Sequence, residues 1–127
     1  MAQILVIEDN VINMKLVVLM LQQAGHEVLQ ATDAEAGIRL AREHIPKLIL
    51  MDVQLPGMDG LAASRLLKAD ALTCGIKIVA LTALAMSGDR DRVDAAGCDG
   101  YLSKPIRYQD LMKVVAQMTV QTQRSGD

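Results

Sequence analysis

The sequence predicts an α/β protein built on a doubly wound, five-stranded parallel sheet with five helices. Short runs of large apolar residues alternate along the chain with longer amphipathic stretches, which is the pattern of strand–helix–strand crossovers. The apolar runs are near-continuous, as expected for strands that helices cover on both faces. A chain of 127 residues has the size of one domain and can bury a core without disulfides or structural metals.

The first half of the chain begins with the clearest strand and the first helix. Residues 4–7 are all large and apolar with a majority of β-branched side chains, which favours a buried strand. A helix is predicted over residues 13–24, and it stops at Gly25 because glycine accepts the left-handed conformation that closes helices. Residues 27–31 then form a second, weaker strand.

The second helix has both a start signal and a stop signal. Thr32 lies three residues before Glu35, which is the spacing of a capping box, and the helix has to end before Pro46. The fourth helix is predicted to begin with Ser87 as its N-cap and to end at Gly97. The other predicted elements are a strand at 48–51, a helix at 60–69, strands at 76–81 and 99–102, and a helix at 108–119.

Composition and charge exclude several classes of protein. The 13 basic and 15 acidic side chains leave a net charge of −2, which provides no electrostatic footprint for nucleic acid or an anionic membrane. Glu8 and Asp9 interrupt the first apolar stretch, so no signal peptide is expected, and no apolar run could span a bilayer. Cys74 and Cys98 lack the close partners of a metal site. A cytoplasmic, reducing location is therefore predicted.

Polar or ionisable side chains follow four of the five predicted strands. Glu8 and Asp9 follow the first strand, Asp52 the third, Thr82 the fourth and Lys104 the fifth. In an open parallel sheet, ligands bind outside the carboxyl ends of the strands. We therefore expect these side chains to converge at one edge of the sheet and to form the functional site there.

This set of residue types predicts phosphoryl transfer. Three carboxylates in one pocket repel each other, and a hard divalent cation such as Mg²⁺ relieves that repulsion. With the cation present, Lys104 can pair with one phosphoryl oxygen and the Thr82 hydroxyl can donate to another. Asp52 is the predicted nucleophile because it ends the most apolar strand and precedes a tight loop. Its attack on phosphorus would give an aspartyl phosphate.

The motifs at the strand ends, taken in order, resemble those of a known family. They are Glu8-Asp9-Asn10, the segment 51–60, Leu81-Thr82-Ala83 and Lys104-Pro105. The ordered set resembles the receiver domain of two-component response regulators, which has a flavodoxin-like (CheY-like) fold. Within the family, the chain resembles stand-alone, DivK-type receivers in Asn13-Met14-Lys15-Leu16 after Glu8-Asp9-Asn10, in the segment 48–56 and in Gly97-Cys98 before Tyr101. The spacing of Asp9-Asn10 and Asn13 is also frequent in receivers attached to hybrid histidine kinases.

The resemblance implies a role for each residue of the predicted site. Asp52 matches the phosphoacceptor, and Lys104 matches the lysine that pairs with the phosphoryl group. The implied cofactor is Mg²⁺, with Mn²⁺ as an alternative. Its implied metal-site residues are Asp9, Asp52 and the backbone carbonyl of Gln54, which bind the ion directly, and Glu8, which acts through metal-bound water.

The resemblance also implies a switch and a set of partners. Thr82 and Tyr101 match a pair in which the threonine moves toward the phosphoryl group and the tyrosine swings inward. The peptide bond before Pro105 matches one that is usually cis. The implied phosphoryl source is a phosphohistidine on a histidine kinase or phosphotransfer protein. Output is implied to pass through the fourth helix, fifth strand and fifth helix, and the charged residues 89–92 are either part of that surface or a solvated helix face.

The chain is expected to consist of one receiver domain followed by a short tail. Residues 1–120 are assigned to a receiver domain and residues 121–127 to a polar tail, so output through an unidentified effector protein, without direct nucleic-acid or membrane binding, is expected. No enzyme activity is expected beyond the chain's own Mg²⁺-dependent phosphorylation and dephosphorylation. A receiver excised from a hybrid kinase is an alternative.

Two rival activities on related folds fit the strand ends less well. A haloacid-dehalogenase-type phosphatase also uses an aspartyl nucleophile, but it needs a second acid two residues later, where this chain has Gln54. A flavodoxin-like cofactor binder needs a phosphate-cradling loop after its first strand. In this chain that loop begins with Glu8 and Asp9, which would repel a phosphate in the absence of a metal.

Overall fold

The structure is a computed structural model that describes residues 2–83 and 87–119, without the side chains of residues 87–90. Five strands form one sheet in the order β2-β1-β3-β4-β5, and every neighbouring pair is parallel. The predicted fold class is therefore confirmed. The elements are β1 (Gln3–Ile7), α1 (Val11–Gln23), β2 (Glu27–Ala31), α2 (Ala34–His44), β3 (Leu48–Asp52), α3 (Gly60–Ala69), β4 (Lys77–Thr82), α4 (Ser87–Ala95), β5 (Gly100–Ser103) and α5 (Tyr108–Met118).

Consecutive side chains of the central strands enter two separate cores. In β1, Ile4 and Val6 pack in a cluster with residues of α1 and α5, whereas Leu5 and Ile7 pack in a cluster with residues of α2 and α3. All four of these side chains are fully buried. Because both faces of the strand are covered, both sets of alternating positions are apolar, which explains the near-continuous hydrophobic run in the sequence.

Two helices begin at a different residue from the predicted one. Helix α1 starts at Val11, two residues earlier than expected, because the Asn10 side chain accepts a hydrogen bond from the backbone N–H of Asn13 at 2.9 Å. Helix α2 is capped by Asp33 and not by Thr32, since an Asp33 carboxylate oxygen accepts the Ala36 N–H at 2.8 Å. Both capping side chains are of the types that favour this position.

Strand β2 and helix α3 have the predicted bounds, and most of the other boundaries shift by one or two residues. Strand β4 covers Lys77–Thr82 and β5 covers Gly100–Ser103, so both lie one residue later than expected. Helix α4 begins at Ser87 itself, and the side chain proposed as its cap lies outside the described residues. The predicted polar tail, 121–127, also lies outside them. Gly25, after α1, has the positive φ of 92° that its predicted role requires.

The lengths of the helices bear on membrane insertion. Helix α1, with 13 residues, is the longest of those that the structure describes. About 20 apolar residues are needed to cross the hydrocarbon core of a bilayer. Within residues 2–83 and 87–119, no helix combines the length and the apolar character of a membrane span.

Candidate functional site

Strand order places the predicted site residues next to one another. The chain leaves β1 toward β2 on one side, while β3 pairs with β1 on the other side, so the connections diverge at this point. Ile7 of β1 is in register with Met51 of β3, and the residues that follow them, Glu8 and Asp52, therefore emerge side by side. This divergence is where open α/β sheets form a binding crevice.

Three carboxylates meet in this crevice. Glu8, Asp9 and Asp52, which we term the carboxylate cluster, each place an oxygen within 4.8 Å of the others. Glu8 is 1% exposed and Asp52 is 3% exposed, whereas Asp9 is open to solvent. Two buried carboxylates at this distance are costly unless cations or hydrogen-bond donors compensate them.

Lys104 supplies part of that compensation. Its Nζ lies 3.0 Å from Oε1 of Glu8 and 3.2 Å from Oδ2 of Asp52, and its side chain is largely buried. The backbone N–H of Lys104 donates to the carbonyl of Thr82 at 2.7 Å, which fixes the start of the loop after β5. The following Lys104–Pro105 peptide bond is cis. The structure therefore brings the predicted lysine into direct contact with two of the three carboxylates.

Local backbone hydrogen bonds orient the two buried carboxylates. Oδ1 of Asp52 accepts the N–H of Gln54 at 3.0 Å, and Oε2 of Glu8 accepts the N–H of Asn10 at 3.1 Å. One oxygen of each carboxylate is thus occupied by its own loop. The other oxygens, Oε1 of Glu8 and Oδ2 of Asp52, are the ones that approach Lys104.

The environment changes the proton affinity of both partners of this ion pair. Burial, with support from Glu8, raises the pKa of Asp52 from its usual 3.8 to about 6, although the Gln54 N–H and Lys104 act in the opposite direction. Burial also lowers the pKa of Lys104, but Glu8 and Asp52 more than offset this, so it lies above its usual 10.5. At neutral pH, the pair is therefore a carboxylate and an ammonium group.

The donor set fits a hard divalent cation. Oε1 of Glu8 is buried and has no partner with good hydrogen-bond geometry in the described part of the chain, even though Lys104 Nζ lies 3.0 Å away. Such a buried, incompletely satisfied carboxylate oxygen has a remaining capacity to bind a cation. Together with the oxygens of Asp9 and Asp52, it provides the all-oxygen environment that Mg²⁺ prefers.

Thr82 and Tyr101 lie on neighbouring strands beside the cluster. Thr82 ends β4 and is 6% exposed. Tyr101 is half-buried in β5, is in register with Ala80, and packs against the small core beneath α4 that contains Leu61 and Val93. The two residues therefore lie near one another at the α4 side of the site, as a coupled pair requires. The inward movement of Tyr101 stays a prediction.

A cavity of about 460 Å³ opens next to the carboxylate cluster, and we term it the site cavity. Asp9 and Thr82 line it together with the loop between β3 and α3. Two further charged residues also line it, Asp59 and Arg92. Asp59 is the N-cap of α3, the helix-start role expected of it. Arg92 belongs to the charged run 89–92, which was expected to be either part of the output surface or a solvated helix face, and a place in the phosphorylation site was not predicted for it.

Comparison with known proteins identifies the family. Residues 4–116 match the family described as the response regulator receiver domain. The chain belongs to this family. The resemblance inferred from the strand-end motifs is thereby confirmed, and phosphorylation-dependent switching in two-component systems is the role of the family.

The relatives of this receiver include stand-alone proteins and modules of larger ones. It is 43% identical over 112 residues to the polar-differentiation response regulator DivK of Brucella ovis, covering 88% of this chain and 91% of that protein. A response regulator of Chloroflexus aurantiacus superposes with a TM-score of 0.90 at 28% identity, covering 94% of this chain and 98% of that one. The receiver domain of a sensor histidine kinase of Pseudomonas aeruginosa superposes with a TM-score of 0.87 at 34% identity, covering 93% and 97%; that crystal structure has a magnesium ion coordinated in the active-site cleft.

Proposed function

We propose that this receiver is a switch in a His–Asp phosphorelay and that Asp52 accepts the phosphoryl group. The observation that carries the proposal is the position of Asp52, which is buried beside Lys104 with two further carboxylates within 4.8 Å. A phosphohistidine of a histidine kinase or phosphotransfer protein is the proposed donor. The identity of that partner and of the downstream effector protein is left open.

The proposed transfer requires the ionised form of Asp52. With a pKa of about 6, this carboxyl group is largely deprotonated at neutral pH and can attack phosphorus. The P–N bond to the imidazole of the donor breaks, and the imidazole leaves with the electron pair. Lys104, already 3.2 Å from Oδ2 of Asp52, is placed to pair with a phosphoryl oxygen once the new bond has formed. Beyond its own phosphorylation and dephosphorylation, we propose no enzyme activity.

The switch that we propose couples the site to one surface. The new charge on Asp52 would draw the hydroxyl of Thr82 toward the phosphoryl group, and Tyr101 would move into the space that the threonine leaves. This change favours one of two arrangements of the surface formed by α4, β5 and α5. The contact between Tyr101 and the small core beneath α4 supports this coupling, because that core includes Val93 of α4.

Receiver domains bind Mg²⁺ at an acidic pocket, and in this chain we propose Glu8, Asp9, Asp52 and the backbone carbonyl of Gln54 as its protein ligands. When bound, the ion neutralises part of the negative charge of the carboxylates and of an incoming phosphoryl group. The buried Oε1 atom of Glu8, which lacks a well-aligned hydrogen-bond donor, supports this assignment. Mn²⁺ is the alternative ion for the same oxygen ligands.

Addition of Mg²⁺ should stabilise the folded protein. At a concentration one hundred times its dissociation constant, the free energy of unfolding should rise by about 2.7 kcal/mol. The measurement is thermal unfolding with and without MgCl₂, with KCl added to match the ionic strength. The Asp9→Ala variant should lose most of this response. An equal response in wild type and Asp9→Ala would show that the ion binds elsewhere.

The affinity for Mg²⁺ should also depend on pH. Because the pKa of Asp52 is about 6, this group is protonated below that pH and must release its proton when the ion binds. The dissociation constant should therefore rise by up to about tenfold for each pH unit below 6. Calorimetric titrations at several pH values measure this slope. A constant affinity between pH 5 and pH 7 would show that no ligand of the ion titrates in this range, which would contradict the raised pKa of Asp52.

The direct test of the proposed function is the mass of the intact protein after incubation with acetyl phosphate and Mg²⁺. Wild type should gain one phosphoryl group, and the gain should disappear with a chelator or in Asp52→Asn. The Asp33→Asn variant is the matched control, since it loses one charge at the cap of α2 and should still be phosphorylated. A gain of mass in Asp52→Asn would show that another residue is the nucleophile.

A receiver module of a hybrid histidine kinase is the second candidate for the biological context. The similarity to the receiver of the Pseudomonas aeruginosa kinase favours it. The chemistry proposed for Asp52 is the same in both contexts, and only the donor differs. In a hybrid kinase, the phosphohistidine would be carried by the same polypeptide or by a phosphotransfer protein downstream.

A further inference from the structure

We propose that Arg92 binds anionic small-molecule phosphodonors at the mouth of the site and thereby sets which donors this receiver accepts. The inference rests on the proposed function of Asp52 as the phosphoacceptor. It starts from the lining of the site cavity, where Arg92 of α4 faces the same space as Asp9 and Thr82. No role for this arginine follows from the strand-end motifs.

The C-terminal end of α4 packs against the sheet beside the site. Val93, the residue after Arg92, is 2% exposed, and Ala96 is equally buried. Both pack in the small core with Leu61 of α3 and Ala80 of β4. The arginine therefore projects from a segment of α4 that is anchored on the sheet beside the site.

The negative charges of the cavity lining would repel an anionic phosphodonor unless a cation compensates them. Asp9 and Asp59 are both exposed, and both line the cavity, so an approaching phosphate-containing anion meets two negative charges. Lys104 is not among the described lining residues, and its ammonium group is engaged by Glu8 and Asp52 below. Among the described lining residues, Arg92 supplies the positive charge. Its guanidinium group has five N–H donors, so it can keep its present contacts within the protein and still bind an anion.

The group transfer that follows binding differs between donors only in the leaving group. With acetyl phosphate, the bond between phosphorus and the acyl oxygen breaks, acetate departs with the electron pair, and a carboxylate oxygen of Asp52 forms the new bond to phosphorus. With phosphoramidate, the P–N bond breaks and ammonia departs, because its nitrogen already carries three protons in the zwitterion. Acetyl phosphate is a dianion near pH 7.5, whereas phosphoramidate has one net negative charge. Arg92 should therefore favour acetyl phosphate more strongly.

The experiment measures the second-order rate constant for phosphorylation of the full chain by each donor, in the presence of Mg²⁺, using intact mass. Arg92→Gln should lower the constant for acetyl phosphate by about threefold to fivefold and that for phosphoramidate by less than twofold. Arg92→Lys should restore most of the loss. Arg39→Gln, which removes the same charge from the exposed surface of α2, is the matched control and should behave like wild type.

Ionic strength provides a second readout that a structural effect would not reproduce. Near 1 M salt the screening length falls to about 3 Å, so the difference between wild type and Arg92→Gln should largely disappear. Equal losses with both donors, unchanged rates in Arg92→Gln, or an equal loss in Arg39→Gln would each overturn the proposal. Failure of the wild type to react with either donor would instead overturn the proposed function of Asp52, and the role of Arg92 with it.

Discussion

Asp52→Asn should be more stable than the wild type in metal-free buffer at pH 7.5, with a free energy of unfolding higher by about 1–3 kcal/mol. The wild-type protein has to bury an ionised carboxylate next to Glu8, and asparagine removes that charge without changing the shape of the side chain. A pKa raised from 3.8 to about 6 corresponds to roughly 3 kcal/mol, the upper end of this range. The loss of the partner of Lys104 reduces the gain.

The sign of this effect follows from the protons bound in the two states. Between pH 3.8 and about 6, the folded protein holds a proton on Asp52 that the unfolded chain has already released. The contribution of Asp52 to stability therefore falls as pH rises through this window and stays at its lowest value above it. Below about pH 3.8 the carboxyl group is neutral in both states, so the advantage of the asparagine variant should disappear there.

Hydrogen bonding in the site supports the choice of asparagine. Its carbonyl oxygen can continue to accept the Gln54 N–H, the bond that Oδ1 of Asp52 makes at 3.0 Å. Its amide group can donate to the buried carboxylate of Glu8, whose Oε1 atom lacks a well-aligned donor. Asparagine thus resembles the protonated form of Asp52, which folding disfavours less than the ionised form.

Urea unfolding of both proteins from pH 3.5 to pH 8, with a chelator present, measures the difference directly. The Asp33→Asn variant is the control for the general loss of one negative charge, since asparagine caps a helix as well as aspartate. Its stability should follow that of the wild type at every pH. If Asp52→Asn has a lower free energy of unfolding than wild type at pH 7.5, the ionised carboxylate of Asp52 stabilises the folded protein, and the prediction is wrong.

Gly60→Ala should have the largest structural effect, lowering the free energy of unfolding by about 3 kcal/mol. Gly60 is the first residue of α3, and its N–H donates to the carbonyl of Val53 at 3.0 Å. A Cβ atom at this position would overlap the carbonyl oxygen of Asp52 and lie 2.8 Å from its carbonyl carbon. Backbone atoms cannot rotate away from such a contact, so either α3 or the end of β3 has to move.

The same displacement should weaken the chemistry of the site. Because the end of β3 carries Asp52, its movement should lower the affinity for Mg²⁺ and slow phosphorylation by acetyl phosphate. Gly75→Ala is the matched control, since a Cβ atom there meets nothing within 4 Å and the residue does not have a positive φ. This control should unfold within about 1 kcal/mol of wild type. Equal stability of the two alanine variants would contradict the close approach of α3 to β3.

The accuracy of the sequence-based prediction varied with the kind of signal. Strand β3 was predicted to within one residue because four of its five residues form an unbroken run of large apolar side chains. The structure buries all five. The starts of α1 and α2 were less accurate, since Asn10 and Asp33 are each preceded by other polar residues that could cap a helix, whereas the starts of α3 and α5 match the prediction. Which candidate caps depends on where the chain turns into the helix, and local propensity alone does not determine that turn.

The residues of the site also differ in whether the sequence alone could identify them. Glu8, Asp52, Thr82 and Lys104 could be named from the sequence because each lies within two residues of the end of an apolar run, and the carboxyl ends of parallel strands share one edge. Arg92 could not be named, because its approach to the site depends on how α4 packs against Ala80 and Leu61. Nothing in its neighbouring residues distinguishes it from an arginine that faces solvent.

The sequence by itself determined the number and type of the elements, the family, and the residues at the strand ends, because hydrophobic periodicity and strand termination are local properties. Only the tertiary structure decided that β1 lies between β2 and β3, which places Glu8 beside Asp52. It also decided the burial that raises the pKa of Asp52 to about 6. Both depend on contacts between segments some forty residues apart, and pairing over such distances is established by the packing of the whole sheet.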